Sequence, residues 1–369
     1  MIQIHICQPM KTAYSIRKAF GSRLRRARAM QEISLQSLAD KLGGDLSRQA
    51  LHKYEQGKAM PDSARLVRIC DALEVGPDDL LAEPAAPVGE LHFRKRAAFG
   101  KRKELRLRFE VEDQLHRLRE LADVLGEPLR ADKVFNKPIP AKSADDAEAA
   151  AKEIRKQWNL GEDALPSLVA LLEDRGVILH STHAEKSLDG AATWLGDTPV
   201  IVLARWLDDD LPRKRFTLAH ELAHLVLDIP ASTPARTAEA ICHRFAGALL
   251  VPDTTLRHEL GGRRRHALFD IELVNLKERY GISIAALARR MSDLGLVSAS
   301  IHKDWTIRRR RINRHLNEPG SWKGSEQPSR FPSMLYRALA EETISLSKAA
   351  ALDGKPIADF RRSLQANAN

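Results

Sequence analysis

Two histidines and a glutamate near the middle of the chain have the types and spacing of a metal-dependent hydrolase. His220 and His224 are four residues apart in an apolar-faced helical stretch. That spacing puts both imidazoles on one helix face, close enough to bind a single ion. Glu221 is offset by one position, so it is not placed to share their geometry as a ligand. It is instead a candidate general base toward a water at the metal.

The third protein ligand must come from another element, because a catalytic zinc usually has three protein ligands and a water. Glu239 begins a second helical stretch, and His243 follows one turn later on the same face. Two histidines and one carboxylate are the commoner peptidase shell, so we favour Glu239 as the ligand. His243 is then a partner that orients a ligand, and the alternative that it binds the metal directly stays open. We expect zinc, with manganese as the second choice.

The elements around these residues indicate an α+β domain. Val177–His180 reads as a strand after Gly176, and two apolar runs flank the turn Gly196-Asp197 as in a β-hairpin. From there to about residue 300 the pattern is helical. A bare HExxH motif also arises by chance, but its place on an amphipathic helix after a hairpin, with an acidic helix downstream, favours the metal site.

Residues 145–300 resemble the ImmA/IrrE family of metallopeptidases. The resemblance rests on Asp189-Gly190, Pro199–Leu203, Arg215–His224, and the run from Glu239 through Phe245-Ala246 to Leu249–Pro252. It implies a zinc-dependent endopeptidase that makes a limited cut in a repressor-type protein, in stress or prophage control. Relatives usually have Ala-Asn or Ala-Asp where this chain has Cys242-His243. The oxyanion partner is left open among His243, Arg244 and Tyr280.

A second motif lies near the start of the chain, where residues 20–82 show five short helical patterns. Ser34 is a good N-cap for Leu35–Leu42, Gly43-Gly44 breaks the chain, and Ser47–Glu55 follows as a second helix. This block resembles the Xre-type helix-turn-helix family of phage repressors. In that fold the second helix of the pair enters the major groove of DNA.

The resemblance implies a double-stranded DNA operator as partner and a homodimer that reads two half-sites. Arg48, Gln49, His52 and Lys53 are the residues expected to face bases or phosphates, and Gln36 substitutes for a glutamine that relatives carry at the position of Leu35. The alternative is a helical domain that has kept the fold for protein contacts.

Composition agrees with a polyanionic partner without requiring one. Among 369 residues, 59 Lys and Arg stand against 49 Asp and Glu, a formal net charge of +10. A solvated basic surface explains the same excess. The three cysteines are far apart and form no CxxC pair, which favours a reducing compartment. The sequence shows no membrane span and no secretion signal, so we expect a cytoplasmic protein without membrane contact.

We therefore expect a mainly α, multidomain chain. The expected parts are a leader (1–19), an all-α five-helix Xre-type domain (20–82), a basic linker and helix (83–144), an α+β zincin-like metallopeptidase domain with a small antiparallel sheet (145–300), and a basic helical C-terminal region (301–369).

Two functions are compatible with these features. In the first, a DNA-binding transcriptional regulator uses its endopeptidase domain to cleave a repressor or an antitoxin-type protein in stress, prophage or toxin-antitoxin control. In the second, a non-proteolytic Xre-type regulator or antitoxin uses a peptidase-like domain to sense a ligand or to bind a cognate toxin.

Overall fold

The structure, a computed structural model, describes residues 9–81, 101–183, 189–312 and 318–366. These residues form two compact units. The first contains the described residues up to Leu81 together with residues 101–117, and the second contains those from Leu118 onward. The division falls inside one helix, α6 (Lys101–Val124).

The first unit is built from helices alone. They are α1 (Pro9–Met30), α2 (Leu35–Lys41), α3 (Arg48–Glu55), α4 (Ser63–Leu73), α5 (Pro77–Leu81) and the first part of α6. The side chains of Ser34, Ser47 and Asp62 accept backbone N–H groups at the starts of α2, α3 and α4. These caps satisfy donors that a helix leaves unpaired at its N-terminus.

The core of this unit lies between α1 and the helices that follow it. It is formed by Phe20, Leu24, Leu38, Leu51, Ile69 and Leu73, all nearly or fully inaccessible to solvent. Helix α1 (Pro9–Met30) is continuous across residue 19, where the start of the domain was expected.

The second unit combines a small sheet with helices. The helices are the end of α6, α7 (Ala144–Gln157), α8 (Leu168–Asp174), α9 (Leu211–Val226), α10 (Ala235–Leu250), α11 (Asp253–Glu259), α12 (Asp270–Tyr280), α13 (Ile284–Asp293), α14 (Ala299–Arg311), α15 (Arg330–Ala340), α16 (Leu346–Asp353) and α17 (Ile357–Ala366). The strands are β1 (Ile139–Pro140), β2 (Ile178–Thr182), β3 (Gly190–Leu195), β4 (Thr198–Ala204) and β5 (Leu227–Asp228).

The main sheet has the strand order β2-β4-β3. Strands β3 and β4 pair antiparallel and form the expected hairpin, whereas β2 pairs parallel with β4. The sheet is therefore mixed rather than wholly antiparallel. Strands β1 and β5 form a separate parallel pair. Strands β2 and β4 can pair in parallel because the connection between them is long and contains the whole of β3; a tight turn joins only antiparallel strands.

The main core of the second unit extends past the boundaries expected at residues 145 and 300. Val134 and Phe135, upstream of α7, are buried in it, and so is Trp305 on α14. The segment from Glu318 to Arg330 also belongs to this unit. Glu326 on this segment is fully buried and accepts hydrogen bonds from the backbone N–H groups of Leu168 and Val169. Among the described residues, no helix is both long and apolar enough to cross a bilayer.

Candidate metal centre and nucleic-acid interface

Helix α9 positions the histidine pair. Its N-cap Asp210 accepts the N–H of Arg213, and Pro212 lies in the first turn. One side of α9 packs against β3 and the other against α10. Because most of the helix is buried, the rotamers of His220 and His224 are held by packing on both sides.

Three side chains from α9 and α10 converge on one point. His220 Nε2 lies 3.3 Å from His224 Nε2 and 3.1 Å from the nearer carboxylate oxygen of Glu239, and His224 Nε2 lies 3.9 Å from the other oxygen. Donors bound to one tetrahedral zinc at about 2.0–2.1 Å lie about 3.3 Å apart. The arrangement therefore fits a divalent ion, and within the described residues these three form the group with metal-ligand geometry.

Three side chains, of Cys242, His243 and Phe216, lie around the cluster. His224 Nδ1 lies 3.6 Å from the sulfur of Cys242, while His220 Nδ1 is buried with no hydrogen-bond partner among the described residues. His243 packs against the ring of His220 with centroids 4.4 Å apart, and its other neighbour is Phe216 at 5.7 Å. The ring of His243 thus packs beside the donor cluster, and burial lowers its pKa.

Glu221 lies beside the cluster but belongs to the β3 side of α9. Its side chain is almost completely buried, and the N–H of Ala192 on β3 donates a hydrogen bond to it. Burial raises the pKa of this carboxyl group to about 7, and the charge of His220 opposes that rise. A carboxylate with such a pKa can both accept and return a proton near neutral pH.

The residues before β3 fix this strand against α9. Asp189 accepts two hydrogen bonds from the guanidinium of Arg213, at 2.8 and 2.9 Å. A Cβ on Gly190 would lie 2.9 Å from Thr217 Cγ2 and 3.2 Å from Glu221 Cγ. Only glycine therefore allows β3 to come this close to α9.

Two candidates for the oxyanion partner have other partners. Arg244 forms ion pairs with Glu148 and, at 3.5 Å, with Asp293. The hydroxyl of Tyr280 donates to Glu259 at 2.8 Å, and burial raises its pKa to about 12. Of the three candidates, His243 is the one whose ring lies against the donor cluster.

In the first unit, α3 presents the residues expected to contact DNA. Arg48, Gln49, His52 and Lys53 are exposed, whereas Leu51 and Tyr54 are buried in the core. His52 hydrogen-bonds to Gln56 at 2.7 Å, and Gln36 on α2 donates to Asp40 at 2.9 Å. Gln36 and Arg48 line one surface depression, so the two helices offer a joint polar surface.

Two contacts hold α3 on α1. Arg28 forms a two-point ion pair with Glu55, at 2.6 and 3.0 Å, with both side chains largely buried. A Cβ on Gly21 would lie 2.4 Å from the carbonyl oxygen of Tyr54. The exposed face of α3 is therefore carried on a rigid support, as groove recognition requires.

Two neighbours of the metal centre were not predicted from the sequence, namely the backbone N–H of Ala192 and the sulfur of Cys242. A backbone donor leaves no mark in the sequence. The signal for Cys242 was its unusual pairing with His243, and the prediction gave a role to His243 alone.

Comparisons with known proteins match a different family to each of the two units. Residues 173–292 match the peptidase M78 family, described as the IrrE N-terminal-like domain, and residues 24–80 match the helix-turn-helix family HTH_3. An uncharacterised HTH-type transcriptional regulator, YonR, derived from the SPbeta prophage of Bacillus subtilis, is 44% identical over 62 residues. That match spans 17% of this chain and 56% of the relative.

A solved structure of ComR from S. thermophilus, in complex with DNA and its signalling peptide ComS, aligns over 95% of this chain and 100% of its own. The identity is 14% and the TM-score 0.16, too low to indicate a shared fold. The chain therefore carries a helix-turn-helix domain over residues 24–80 and an IrrE N-terminal-like domain of the peptidase M78 family over residues 173–292.

Proposed function

We propose that this chain is a cytoplasmic DNA-binding regulator whose second unit is a zinc-dependent endopeptidase, with manganese as an alternative ion. One observation carries the proposal. His220, His224 and Glu239 bring their donor atoms within 4.8 Å of one another, and Glu221 follows His220 directly in α9. Three ligands and an adjacent buried carboxylate are the minimum set for metal-assisted peptide hydrolysis.

Metal binding and proton transfer fall to different residues of the site. His220, His224 and Glu239 would hold a divalent ion, which when bound supplies polarisation of the scissile carbonyl and lowers the pKa of a water. Glu221 takes the proton of the attacking water and returns it to the leaving amine. The N–H of Ala192 keeps the Glu221 carboxylate on the β3 side of the helix during both transfers.

The first unit directs this activity to a regulatory setting. The exposed face of α3 suits the major groove of a double-stranded operator, and a homodimer would read two half-sites about one turn apart. A peptidase carried on such a reader suits a single cut in a repressor or an antitoxin-type protein better than general digestion. Stress, prophage or toxin-antitoxin control is the corresponding role.

A second candidate function rests on the burial of Glu221. Its side chain is 7% exposed and already accepts a hydrogen bond. A regulator or antitoxin that uses this domain to sense a ligand or to bind a toxin would need no access of substrate water to that carboxylate.

The substitution Glu221→Gln separates the two functions. The purified chain, loaded with zinc, is incubated with the products of the adjacent genes and on its own, and cleavage is followed by mass spectrometry. We expect a single cut by the wild type and by Glu153→Gln, a control on α7, and at least a hundredfold slower cutting by Glu221→Gln. If all three cut nothing and still bind an operator, the non-proteolytic regulator is the correct account.

A further inference from the structure

The last three described helices repeat a sequence pattern from the first unit. Ile33-Ser34-Leu35 is followed by Ala39 and Gly43, and the same five residue types recur with the same spacing from Ile344-Ser345-Leu346 to Ala350 and Gly354. The pattern is therefore I-S-L-x3-A-x3-G in both places. In the first unit this pattern covers α2 and the turn that leads to α3.

The backbone repeats with the sequence. Ser34 accepts the N–H of Ser37 at 3.0 Å, and Ser345 accepts the N–H of Lys348 at 3.2 Å. Gly43 and Gly354 both have φ of 68°, the left-handed conformation that ends a helix. Both helices thus begin with a serine cap and are followed by a left-handed glycine. The connection to the next helix spans residues 42–47 in the first set and residues 354–356 in the second.

The preceding helices also end alike. Just before the repeat, Glu32 after α1 has φ of 53°, and Glu342 after α15 has φ of 56°. A non-glycine residue in this conformation is uncommon, so its occurrence at both places is informative. Both α1–α3 and α15–α17 therefore have the same order of features. A helix is followed by a left-handed glutamate, a capped helix, a left-handed glycine and a third helix.

The last helix of each set buries its fourth residue and exposes its fifth and sixth. The fourth residue of α3 is Leu51 and the fourth of α17 is Phe360, and both are fully buried. Phe360 stacks with Tyr336 of α15, with ring centroids 6.4 Å apart, so α17 is fixed on α15. The fifth and sixth residues, His52 and Lys53 in α3, are exposed.

At the fifth and sixth positions α17 has Arg361 and Arg362, both exposed. The Arg362 side chain is 78% accessible and forms a surface ion pair with Asp359, which a phosphate can replace. The first and second positions, Arg48 and Gln49 in α3, are Ile357 and Ala358 here. Guanidinium groups bind phosphates well, whereas Ile and Ala offer no bidentate contact to a base edge. The chemistry of α17 therefore suits the DNA backbone rather than base sequence.

We propose that α15–α17 is a second helix-turn-helix unit, which binds duplex DNA without sequence preference through the phosphate contacts of Arg361 and Arg362. This site is additional to the exposed face of α3 and does not depend on the peptidase site.

A similar start at Ile282-Ser283, which opens α13, does not complete the pattern. Its left-handed glycine, Gly295, comes three residues later than the repeat requires. The fifth and sixth residues of the following helix α14 are Lys303 and Asp304, so their charges cancel. The full pattern with two exposed cations belongs to α15–α17.

The test measures binding of the full chain to a fluorescent duplex of about 30 random base pairs, by anisotropy over a series of salt concentrations. Loss of two phosphate contacts lowers the slope of log affinity against log salt by about 1.8. We expect this change in Arg361→Gln/Arg362→Gln, with affinity about tenfold weaker at about 0.1 M salt. The control Arg257→Gln/Arg279→Gln removes two exposed arginines of the second unit that lie outside α15–α17, and it should leave the slope unchanged.

Equal slopes for the α17 variant and the control would overturn the proposal, because the repeat would then serve packing or protein contacts. The same series with Arg48→Ala/Gln49→Ala shows whether the first unit binds DNA. A loss confined to that variant leaves the proposed regulator intact and refutes the second DNA site. A loss of binding confined to the α17 variant would support the second DNA site and would contradict DNA binding by the first unit.

Discussion

Arg215 on α9 and Glu326 form an ion pair in which neither side chain is exposed to solvent. The guanidinium also donates to the carbonyl of Leu165 at 2.8 Å and lies 4.2 Å from the ring of Trp322. Glu326 lies outside the residues 173–292 that match the peptidase family. The helix that carries the histidine pair is thus fastened by a segment that follows the family domain in the chain.

This pair gives a stability prediction. Glu326→Ala leaves a buried guanidinium without its carboxylate and also removes the acceptor for the N–H groups of Leu168 and Val169. We expect a loss of about 3–5 kcal/mol in the unfolding free energy of the second unit. Urea unfolding of the full chain measures it, with the exposed Glu341→Gln as control. Equal midpoints for the two variants would contradict the role of the pair.

Gly190 gives a prediction about catalytic geometry. A methyl group at this position would lie 3.1 Å from the carbonyl oxygen of Val202 and 3.2 Å from Glu221 Cγ. Gly190→Ala should therefore displace Glu221 and slow the proposed cleavage at least tenfold, while His220, His224 and Glu239 still bind metal. Gly76→Ala is the control, since its Cβ would meet one atom at 3.4 Å. Unchanged cleavage with the methyl group in place would show that β3 does not position Glu221.

The exposed face of α3 gives a prediction about DNA. On a duplex selected from a random pool, Arg48→Ala should weaken binding by about 1–3 kcal/mol and relax the preference for one base pair. Lys53→Ala should weaken binding to all sequences and lower the salt slope by about 1. Arg65→Ala on α4, whose partner is Asp62, serves as control. Identical binding curves for the wild type and all three variants would exclude α3 as the recognition helix.

Glu173 gives a prediction about pH. It is buried and accepts the N–H groups of Ser329 and Arg330 at 2.9 and 3.1 Å, and burial raises its pKa. The carboxyl group of Glu173 therefore binds a proton more readily in the folded chain than in the unfolded chain. Its ionisation lowers the stability of the fold as the pH rises above the pKa in the unfolded chain, about 4.3. Glu173→Gln keeps an acceptor without the charge.

The midpoint of thermal unfolding tests this point. The difference between Glu173→Gln and the wild type should be close to zero at about pH 4 and should grow in favour of the variant up to neutral pH. A variant that loses stability as the pH rises, relative to the wild type, would mean that the carboxylate is stabilised by its surroundings.

The helices were the most predictable part of the fold. Ser34 is a cap whose hydrogen bond is local, so the sequence alone predicts where α2 begins. The hairpin around Gly196-Asp197 is local in the same way. The parallel pairing of β2 with β4 depends on packing between distant segments, and nothing in the two strands alone specifies it.

The candidate site also has one part set by local sequence and one part set by tertiary packing. The spacing of His220 and His224 on one helix requires no tertiary information, whereas the convergence of Glu239 depends on how α10 packs on α9. Phe135 and Glu326 lie outside the boundaries expected at residues 145 and 300, and their contacts with the second unit join segments far apart in the sequence. The repeat that starts at Ile344 is present in the sequence itself. The equal φ angles of Gly43 and Gly354 show that the backbone conformation repeats with it.

The donor cluster formed by His220, His224 and Glu239 is the centre of the proposed function. Its most direct test is the metal content of the purified full chain after dialysis against zinc, measured by mass spectrometry for the wild type, His224→Ala and Glu239→Gln. We predict about one zinc per chain in the wild type, none in His224→Ala and a reduced content in Glu239→Gln. A wild type without stoichiometric zinc or manganese, or a His224→Ala variant that retains it, would contradict the assignment of the site.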